Sequence, residues 1–384
     1  MESYITPPGS NESTQAPAAK TSFTVRPKVA ELTSEQKARK ALIHAIAHAG
    51  PLENYVFHKV IGFGANGVVI AAERYTATAK FEPVAIKLIY KIAKNDSTPP
   101  NEIKVLRAVA NDPHRYLLGY IEDFQDAHSF ILVTELFGTD WNTLAEDALK
   151  EDVEGAESGK TNSKKTASKL EPLRFKNPRT GLYTTVPFSS GCGDIWAWSY
   201  YERVNSWKQN HPTPDKTMPL LPLPVIKNIA FQVIRGMMHF HEQHGFFHGD
   251  IKAENVLVIG APDNSKDYDC EVRICDFGHA NSSSRSMYQA GTLENAPPEL
   301  IAALKLNNTG QVFIDGTKAD VFAVGIMILR LLKSSGVLDG RVACSDDVAV
   351  DLGQAERLLD RMTTRDPAQR PSMREALAFP WFHV

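Results

Sequence analysis

Cysteine is scarce in this chain: Cys192, Cys270, Cys275 and Cys344 are the only four in 384 residues. They show neither Cys-x-x-Cys metal spacing nor a dense disulfide pattern, which suits a reducing compartment. Long apolar runs are missing too, so no segment reads as a membrane span. Residues 1–19 are polar and carry proline where a secretory signal would have an apolar core. Neither sign of charge is in excess, since 42 Lys and Arg stand against 45 Asp and Glu, a net −3. That balance has no nucleic-acid footprint, and Lys164, Lys165 and Lys169 are too sparse to read as more than a solvated stretch. The expectation is a soluble intracellular protein, cytoplasmic or nuclear, with neither nucleic acid nor membrane as a partner. What the chain does have is core-forming capacity: an apolar content of 43% over this length supports one large domain.

Two motifs carry most of the chemistry. His248-Gly249-Asp250-Ile251-Lys252-Ala253-Glu254-Asn255 is followed downstream by Asp276-Phe277-Gly278. Together they space a base and two metal ligands as phosphoryl transfer requires. That reaction asks little covalent chemistry of a protein; it needs an aligned hydroxyl, clamped phosphates and cations over the developing charge. In this reading Asp250 accepts the hydroxyl proton and Lys252 neutralises the transferring phosphate of ATP. Asn255 and Asp276 hold Mg²⁺, with Mn²⁺ as the alternative ion, and the Asp276 metal bridges the phosphates.

Upstream, Ile61-Gly62-Phe63-Gly64-Ala65-Asn66-Gly67-Val68-Val69 has Gly-x-Gly-x-x-Gly-x-Val spacing between two strand-like runs, residues 55–61 and 68–72. A β-hairpin over phosphates fits, because Gly62, Gly64 and Gly67 let the backbone approach closely. A dinucleotide site would instead place a helix after the glycine turn and an acidic residue about 20 positions on. A second strand follows here, which argues against it. Val84-Ala85-Ile86-Lys87-Leu88 sets one lysine in an apolar, β-rich run, where an unpaired ammonium is costly. Glu102, in the helical stretch 101–110, is the natural partner, and Lys87 so held orients the α- and β-phosphates.

With these motifs in order, the chain resembles the eukaryotic protein kinases from about residue 55 to residue 382, interrupted by one insertion. Gly291-Thr292-Leu293-Glu294-Asn295-Ala296-Pro297-Pro298-Glu299 resembles the end of an activation segment, with Pro-Pro-Glu where the family has Ala-Pro-Glu. Asp320-Val321-Phe322-Ala323-Val324-Gly325 resembles the start of the central large-lobe helix, and Arg365-Asp366-Pro367-Ala368-Gln369-Arg370-Pro371-Ser372 the closing motif. The resemblance implies an α+β, bilobal protein kinase fold: a small lobe of antiparallel β-sheet plus one helix, a mainly α-helical large lobe, and ATP between them. It also implies that Glu299 pairs with Arg370 and that Asp320 braces the catalytic loop carrying His248. Residues 131–138 resemble the last small-lobe strand and the hinge, with Thr134 a small gatekeeper and the backbone of Glu135 and Phe137 bonding adenine. Val69, Ala85 and Asp194 complete the implied ATP-binding set.

The implied activity is serine/threonine protein kinase, because Lys252 follows Asp250 by two positions and Gly291-Thr292 precedes the Pro-Pro-Glu. Gly291-Thr292-Leu293-Glu294 and Phe277-Gly278-His279-Ala280 look most like the PAS kinase and Pim kinase branch, near the calcium/calmodulin-dependent group. Glu254 and Asp194 match places where basophilic kinases face arginines, so protein substrates bearing Ser or Thr with upstream Arg are the expected partners. Two rivals exist. Small-molecule kinases of the aminoglycoside and choline type also write His-Gly-Asp, but they lack the segment ending at Glu299 and the Asp320 and Arg370 motifs. A pseudokinase scaffold would bind ATP or partners without efficient transfer, yet Lys87, Glu102, Asp250, Asn255 and Asp276 are all present.

The chain departs from the family pattern in three places. Gly249 replaces the arginine that usually reads a phosphate on the activation loop, so activity is expected not to depend on phosphorylation of Ser282, Ser283, Ser284 or Ser286. An insertion, residues 139–192, follows the hinge. Its first half is rich in Glu, Lys, Ser and Thr, a composition expected to stay disordered, while Leu173, Phe175, Leu182, Tyr183, Val186 and Phe188 offer apolar residues for packing on the lobe. Its length suggests a docking or regulatory element for a partner. Third, the region between Leu332 and Leu358 is short where kinases place a substrate-facing helix.

The expected organisation is a disordered tail at 1–31, an amphipathic helix at 32–50, and a kinase domain at 51–384. Within the domain the small lobe spans 51–134, the hinge 135–138, the insertion 139–192 and the large lobe 193–384. Thr33 with Gln36 forms a capping box for the N-terminal helix, and Ala38, Ala41, Leu42, Ala45, Ile46 and Ala49 follow helical spacing for docking on the small lobe. Cys275, next to Asp276, is either a thiol beneath ATP within reach of an electrophile or a buried inert one. His239, His241, His244 and His248 crowd one region and are read as packing or solvent-facing groups rather than metal ligands.

Overall fold

The structure, a computed structural model, describes residues 32–48, 50–76, 80–93, 96–140, 143–144, 170–176, 181–188, 193–210, 221–260, 269–282, 287–289, 292–306, 311–336, 338 and 345–383. Outside them lie the tail 1–31, Ala49, Cys192, Cys344, Ser283, Ser284, Ser286, Gly291 and most of the polar half of the insertion. Thr33 starts the first helix, α1 (Ser34–Ala47), with a complete capping box: its hydroxyl accepts from the Gln36 amide, and the Gln36 side chain accepts from the Thr33 amide. Ala38, Leu42 and Ala45 recur at helical spacing and are buried, while Ile43 on the other face is exposed.

That buried stripe lies on a five-stranded antiparallel sheet, β1 (Tyr55–Phe63), β2 (Gly67–Tyr75), β3 (Phe81–Tyr90), β4 (Tyr120–Gln125) and β5 (Ser129–Glu135), in the order β1-β2-β3-β5-β4. Strand alternation gives the sheet two apolar faces. In β5, Ile131 and Val133 join the cluster that contains Leu42, whereas Phe130 and Leu132 join the one that contains α2 (Asn101–Val109) and the large-lobe core. A strand buried on both sides needs an unbroken apolar run, which is how Phe130-Ile131-Leu132-Val133 reads.

The described part of the insertion contributes an antiparallel pair, β6 (Leu173–Lys176) and β7 (Tyr183–Val186). Leu173, Val186 and Phe188 are buried against the α1 face of the sheet. The Val60 amide donates to the Pro187 carbonyl at 2.9 Å, and Phe188 pairs in parallel with Val60, so the pair covers the edge that β1 would otherwise expose. Arg39 of α1 lies over the Phe188 ring at 4.5 Å and donates to the Glu171 carbonyl. Leu182 and Tyr183, at the start of β7, remain 70% and 82% exposed.

Gly138 and Gly193, at the two ends of the insertion, both have positive φ and touch: a Cβ on Gly138 would meet Gly193 at 2.8 Å. Only glycine allows this approach. The insertion therefore leaves and returns at one point, and its length adds little closure cost to the lobes it interrupts.

The large lobe is built on α3 (Ile195–Asn210) and α4 (Leu223–Glu242), followed by β8 (Phe246–Phe247), β9 (Val256–Gly260), β10 (Cys270–Ile274), β11 (Asn281–Ser282) and β12 (Met287–Gln289). Next come α5 (Pro298–Leu306), β13 (Gln311–Phe313), α6 (Gly316–Ser334), α7 (Asp346–Met362) and α8 (Met373–Leu377). Val225, Ile226, Ile229, Val233, Met237 and Phe240 of α4 meet Val324, Ile328, Leu331 and Leu332 of α6 in one core. Antiparallel β9 and β10 cross this lobe and bring the segments carrying Asn255 and Asp276 side by side. Among the described residues no helix lies between α6 and α7, and none is long and apolar enough to cross a membrane.

Leu42 is fully buried between α1 and the sheet. Leu42→Ala is expected to lower stability by about 2–4 kcal/mol through the cavity it leaves. Ile43→Ala should stay within about 0.5 kcal/mol. Urea unfolding of both variants checks this, and equal small effects would mean that α1 is not part of the folded lobe.

Candidate active site

Asp320, in the first turns of α6, is almost fully buried, and its carboxylate accepts the amides of His248 at 2.6 Å and Gly249 at 2.9 Å. The His241 Nε2 stands 3.0 Å from the same carboxylate. These bonds fix the loop between β8 and β9. Gly249 has φ +81°, and a Cβ there would meet the His279 carbonyl at 3.0 Å, so a side chain at this position would be strained in backbone conformation and tight in space. The His248 ring reaches the Cys275 carbonyl at 2.9 Å and lies beside Phe277, which is fully buried. Asn295 closes the other side by donating to the Ile251 carbonyl at 3.0 Å.

The Asp250 carboxylate is surrounded by donors. Lys252 Nζ lies 2.9 Å from Oδ2, the Thr292 amide 2.6 Å from Oδ1, and Asn255 Nδ2 bonds both the Asp250 carbonyl at 2.8 Å and Oδ2 at 3.2 Å. Lys252 also donates to the Thr292 hydroxyl at 2.7 Å. Burial works against a charge on Asp250, yet Lys252 and Thr292 outweigh it and hold the carboxyl below the ordinary carboxylate range. The group is ionised at neutral pH, and three donors, Lys252, the Thr292 amide and Asn255, fix its orientation.

Opposite, Lys87 of β3 donates to Glu102 of α2 at 2.7 Å and to Asp276 at 2.9 Å. One ammonium thus joins the sheet, α2 and the large lobe. Burial opposes its charge, but the two carboxylates outweigh burial and raise its pKa above that of an ordinary lysine. Asp276 has φ 60° and ψ 64°, the only non-glycine residue with positive φ among the described ones. Left-handed backbone at such a residue costs energy and persists where the surroundings impose it. Its Oδ1 is engaged by Lys87, and Asn255 uses Nδ2 for its bonds; the oxygens that remain on both are hard donors of the kind that suit Mg²⁺.

Gly62 near the end of β1, Gly64 in the turn and Gly67 at the start of β2 line the β1–β2 hairpin, closed by the Gly64 amide on the Gly67 carbonyl at 2.9 Å. Val69 pairs with Lys87 across β2 and β3, and Ala85 pairs with Thr134 across β3 and β5. Thr134 is buried, and its hydroxyl donates to the Glu135 carbonyl at 3.2 Å, while the Glu135 amide donates to Gly119 at 3.0 Å. The carbonyl keeps a second lone pair; the amide of Glu135 is already engaged. Asp194 spends Oδ1 on the Ala197 amide at 2.8 Å as a cap for α3, and burial, aided by Glu254, pushes its pKa up. Away from the cleft, Arg370 meets Glu299 through two bonds of 2.7 Å with its own side chain fully buried. Gly278 follows Phe277 in a short turn.

Sequence reasoning missed Arg273. It bonds the Glu135 carboxylate at 3.1 Å and covers the Phe137 ring at 4.3 Å, bracing the segment that links the lobes. Its only signal was a charge between the buried Val272 and Ile274. His241, expected to pack or face water, instead meets the Asp320 carboxylate. For Cys275, burial and the adjacent Asp276 push the thiol far above its ordinary pKa. Since the thiolate is the reactive form, this shift favours the inert alternative, although Cys275 as a residue is only partly buried.

Residues 214–382 match the family profile described as Protein kinase domain. Similar proteins include the meiosis-specific serine/threonine-protein kinase mek1 of Schizosaccharomyces pombe, 28% identical over 40% of this chain and 36% of the relative. Aurora kinase of Dictyostelium discoideum is 28% identical over 40% of this chain and 38% of its own length. The serine/threonine-protein kinase PAK mbt of Drosophila melanogaster is 26% identical over 41% and 24%. The matched region thus spans well under half the length of each of these relatives.

The Lys87 ammonium, acting against burial, holds Asp276 at about 2, below the ordinary 3.8. With the folded value depressed, the stabilisation is complete above the unfolded value and is lost as pH falls toward the folded one. Urea midpoints should therefore drop between about pH 4 and about pH 2, and drop less in Asp276→Asn. Parallel slopes would remove the Lys87 contact as the cause.

Proposed function

We propose that this chain, which carries a protein kinase domain in the bilobal α+β fold, transfers the γ-phosphate of ATP to serine and threonine hydroxyls of protein substrates. The observation that carries the reading is the Asp250 carboxylate, kept ionised and oriented by Lys252, Thr292 and Asn255. Asp250 orients the incoming hydroxyl and takes its proton; Lys252, held between Asp250 and Thr292, places positive charge beside the group being transferred. Lys87, fixed by Glu102, orients the α- and β-phosphates, and the glycine turn at 62–67 covers them. Asn255 and Asp276 are the ligands for Mg²⁺, which when bound neutralises charge on the phosphates. Val69, Ala85, Thr134 and the backbone of Glu135 and Phe137 line the adenine end. Asp194 belongs to the same ATP-binding set.

Serine/threonine specificity rests on Thr292, whose hydroxyl and amide both serve the Asp250–Lys252 pair. A preference for upstream arginine rests on Glu254, which is exposed, more than on Asp194, which caps α3. Motif likeness to the PAS kinase and Pim kinase branch supports the same preference. The insertion 139–192 serves as a regulatory surface for a partner, and the protein works in the cytoplasm or nucleus.

Peptide arrays with γ-labelled ATP and Mg²⁺ test the activity. Asp250→Asn should lower transfer by about 10²–10⁴-fold while ATP still binds; labelling unchanged in the variant would assign it to a contaminant and sink the reading.

Gly249 offers no side chain to a phosphorylated loop. Rates before and after phosphatase treatment should be equal, and abolished activity would refute this independence.

A further inference from the structure

Asp112 lies in the segment after α2, His239 in the last turn of α4, and His244 just beyond the end of that helix. The fold brings one ligand atom from each within 4.8 Å of the others. Both imidazole Nε2 atoms close on the Asp112 carbonyl oxygen, at 3.0 Å from His239 and 3.1 Å from His244. The Asp112 carboxylate stands 3.5 Å from His239 Nε2. His114 stacks on His239 with ring centroids 4.7 Å apart, and His244 meets His239 edge-on at 5.1 Å, so neighbouring rings restrict the orientation of the first ring and support the second.

We propose that Asp112, His239 and His244 form a binding site for a divalent transition-metal ion of the zinc type. Two imidazole nitrogens and one carboxylate oxygen favour such an ion over Mg²⁺ or Ca²⁺, which prefer an all-oxygen set. Around a tetrahedral zinc ion with bonds of about 2.0–2.2 Å, ligand atoms sit roughly 3.3 Å apart. The three atoms must therefore close in from their 4.8 Å spread. Asp112 supplies most of the movement, because its side chain is 62% exposed. Each ring exchanges the Asp112 carbonyl for the ion, carrying its proton on Nδ1 and coordinating through Nε2. Water completes the fourth position.

The ion would join the segment following α2 to the end of α4. Since α2 carries Glu102, metal binding braces the helix that holds Lys87 against the large lobe. An ion that binds only the folded chain also raises stability by mass action. The site does not overlap the residues assigned to phosphoryl transfer, so its test is independent of that activity.

The experiment is a titration of the chelator-stripped full chain with Zn²⁺, read by competition with a chromophoric chelator, with Mg²⁺ in excess so that hard oxygen sites are filled. Melting temperature is followed in parallel. One saturable Zn²⁺ per chain is expected, with a rise in melting temperature. His244→Ala and Asp112→Ala should each weaken binding by at least about tenfold and remove that rise. Asp112 is exposed, so Asp112→Ala keeps the test valid should the histidine variant fold poorly. Absence of saturable binding in the unmodified chain, or affinity unchanged in Asp112→Ala, overturns the proposal.

Discussion

The buried carboxylate of Asp320 is the constraint on which the rest of the cleft depends. It takes two successive amides, those of His248 and Gly249, from a loop that has no helix or sheet to satisfy them. An unpaired buried amide is costly, so the loop has one low-energy position. That position aims Asp250 at Thr292 and sets the His248 ring against the segment that leads into Asp276. A helix N-terminal region in the large lobe therefore decides where the base and the metal ligands stand.

Charge is buried at three further points, and each is paired by more than one group. Lys87 has two carboxylates, Asp250 has an ammonium and backbone and side-chain donors, and Arg370 has Glu299 together with the carbonyls of Thr364 and Lys318. Removing one partner from a buried pair costs about 3–5 kcal/mol, because the remaining charge stays in low dielectric. Arg370 and Asp320 lie outside the reacting groups, so their loss acts first on the fold of the large lobe. Lys87 differs in linking both lobes, and its pairing depends on how the lobes meet.

Much of the fold was legible in local pattern. Alternating and unbroken apolar runs marked the strands, the Thr33–Gln36 capping box marked the start of α1, and its buried stripe followed the spacing of Ala38, Leu42 and Ala45. The insertion was only half legible. Leu173, Val186 and Phe188 found the sheet, while Leu182 and Tyr183 stayed exposed, because hydrophobicity says that a residue gains from burial and not whether a surface lies within reach. Asp194 read as a binding carboxylate, yet one of its oxygens caps a helix. Capping and ligand binding use the same chemistry, and sequence alone does not separate them.

The sequence by itself determined the chemistry available: the order of the glycine turn, Lys87, Asp250, Asn255 and Asp276, and the absence of a side chain at Gly249. Those are properties of residue type and short spacing, which survive whatever the chain does at longer range. Tertiary structure alone decided which groups meet. Arg273 reaches Glu135 and Phe137, and His241 reaches Asp320. His239 and His244 close on Asp112 from far along the chain. Such meetings depend on the packing of helices and sheet against one another, and no local periodicity encodes a contact between residues so distant in sequence.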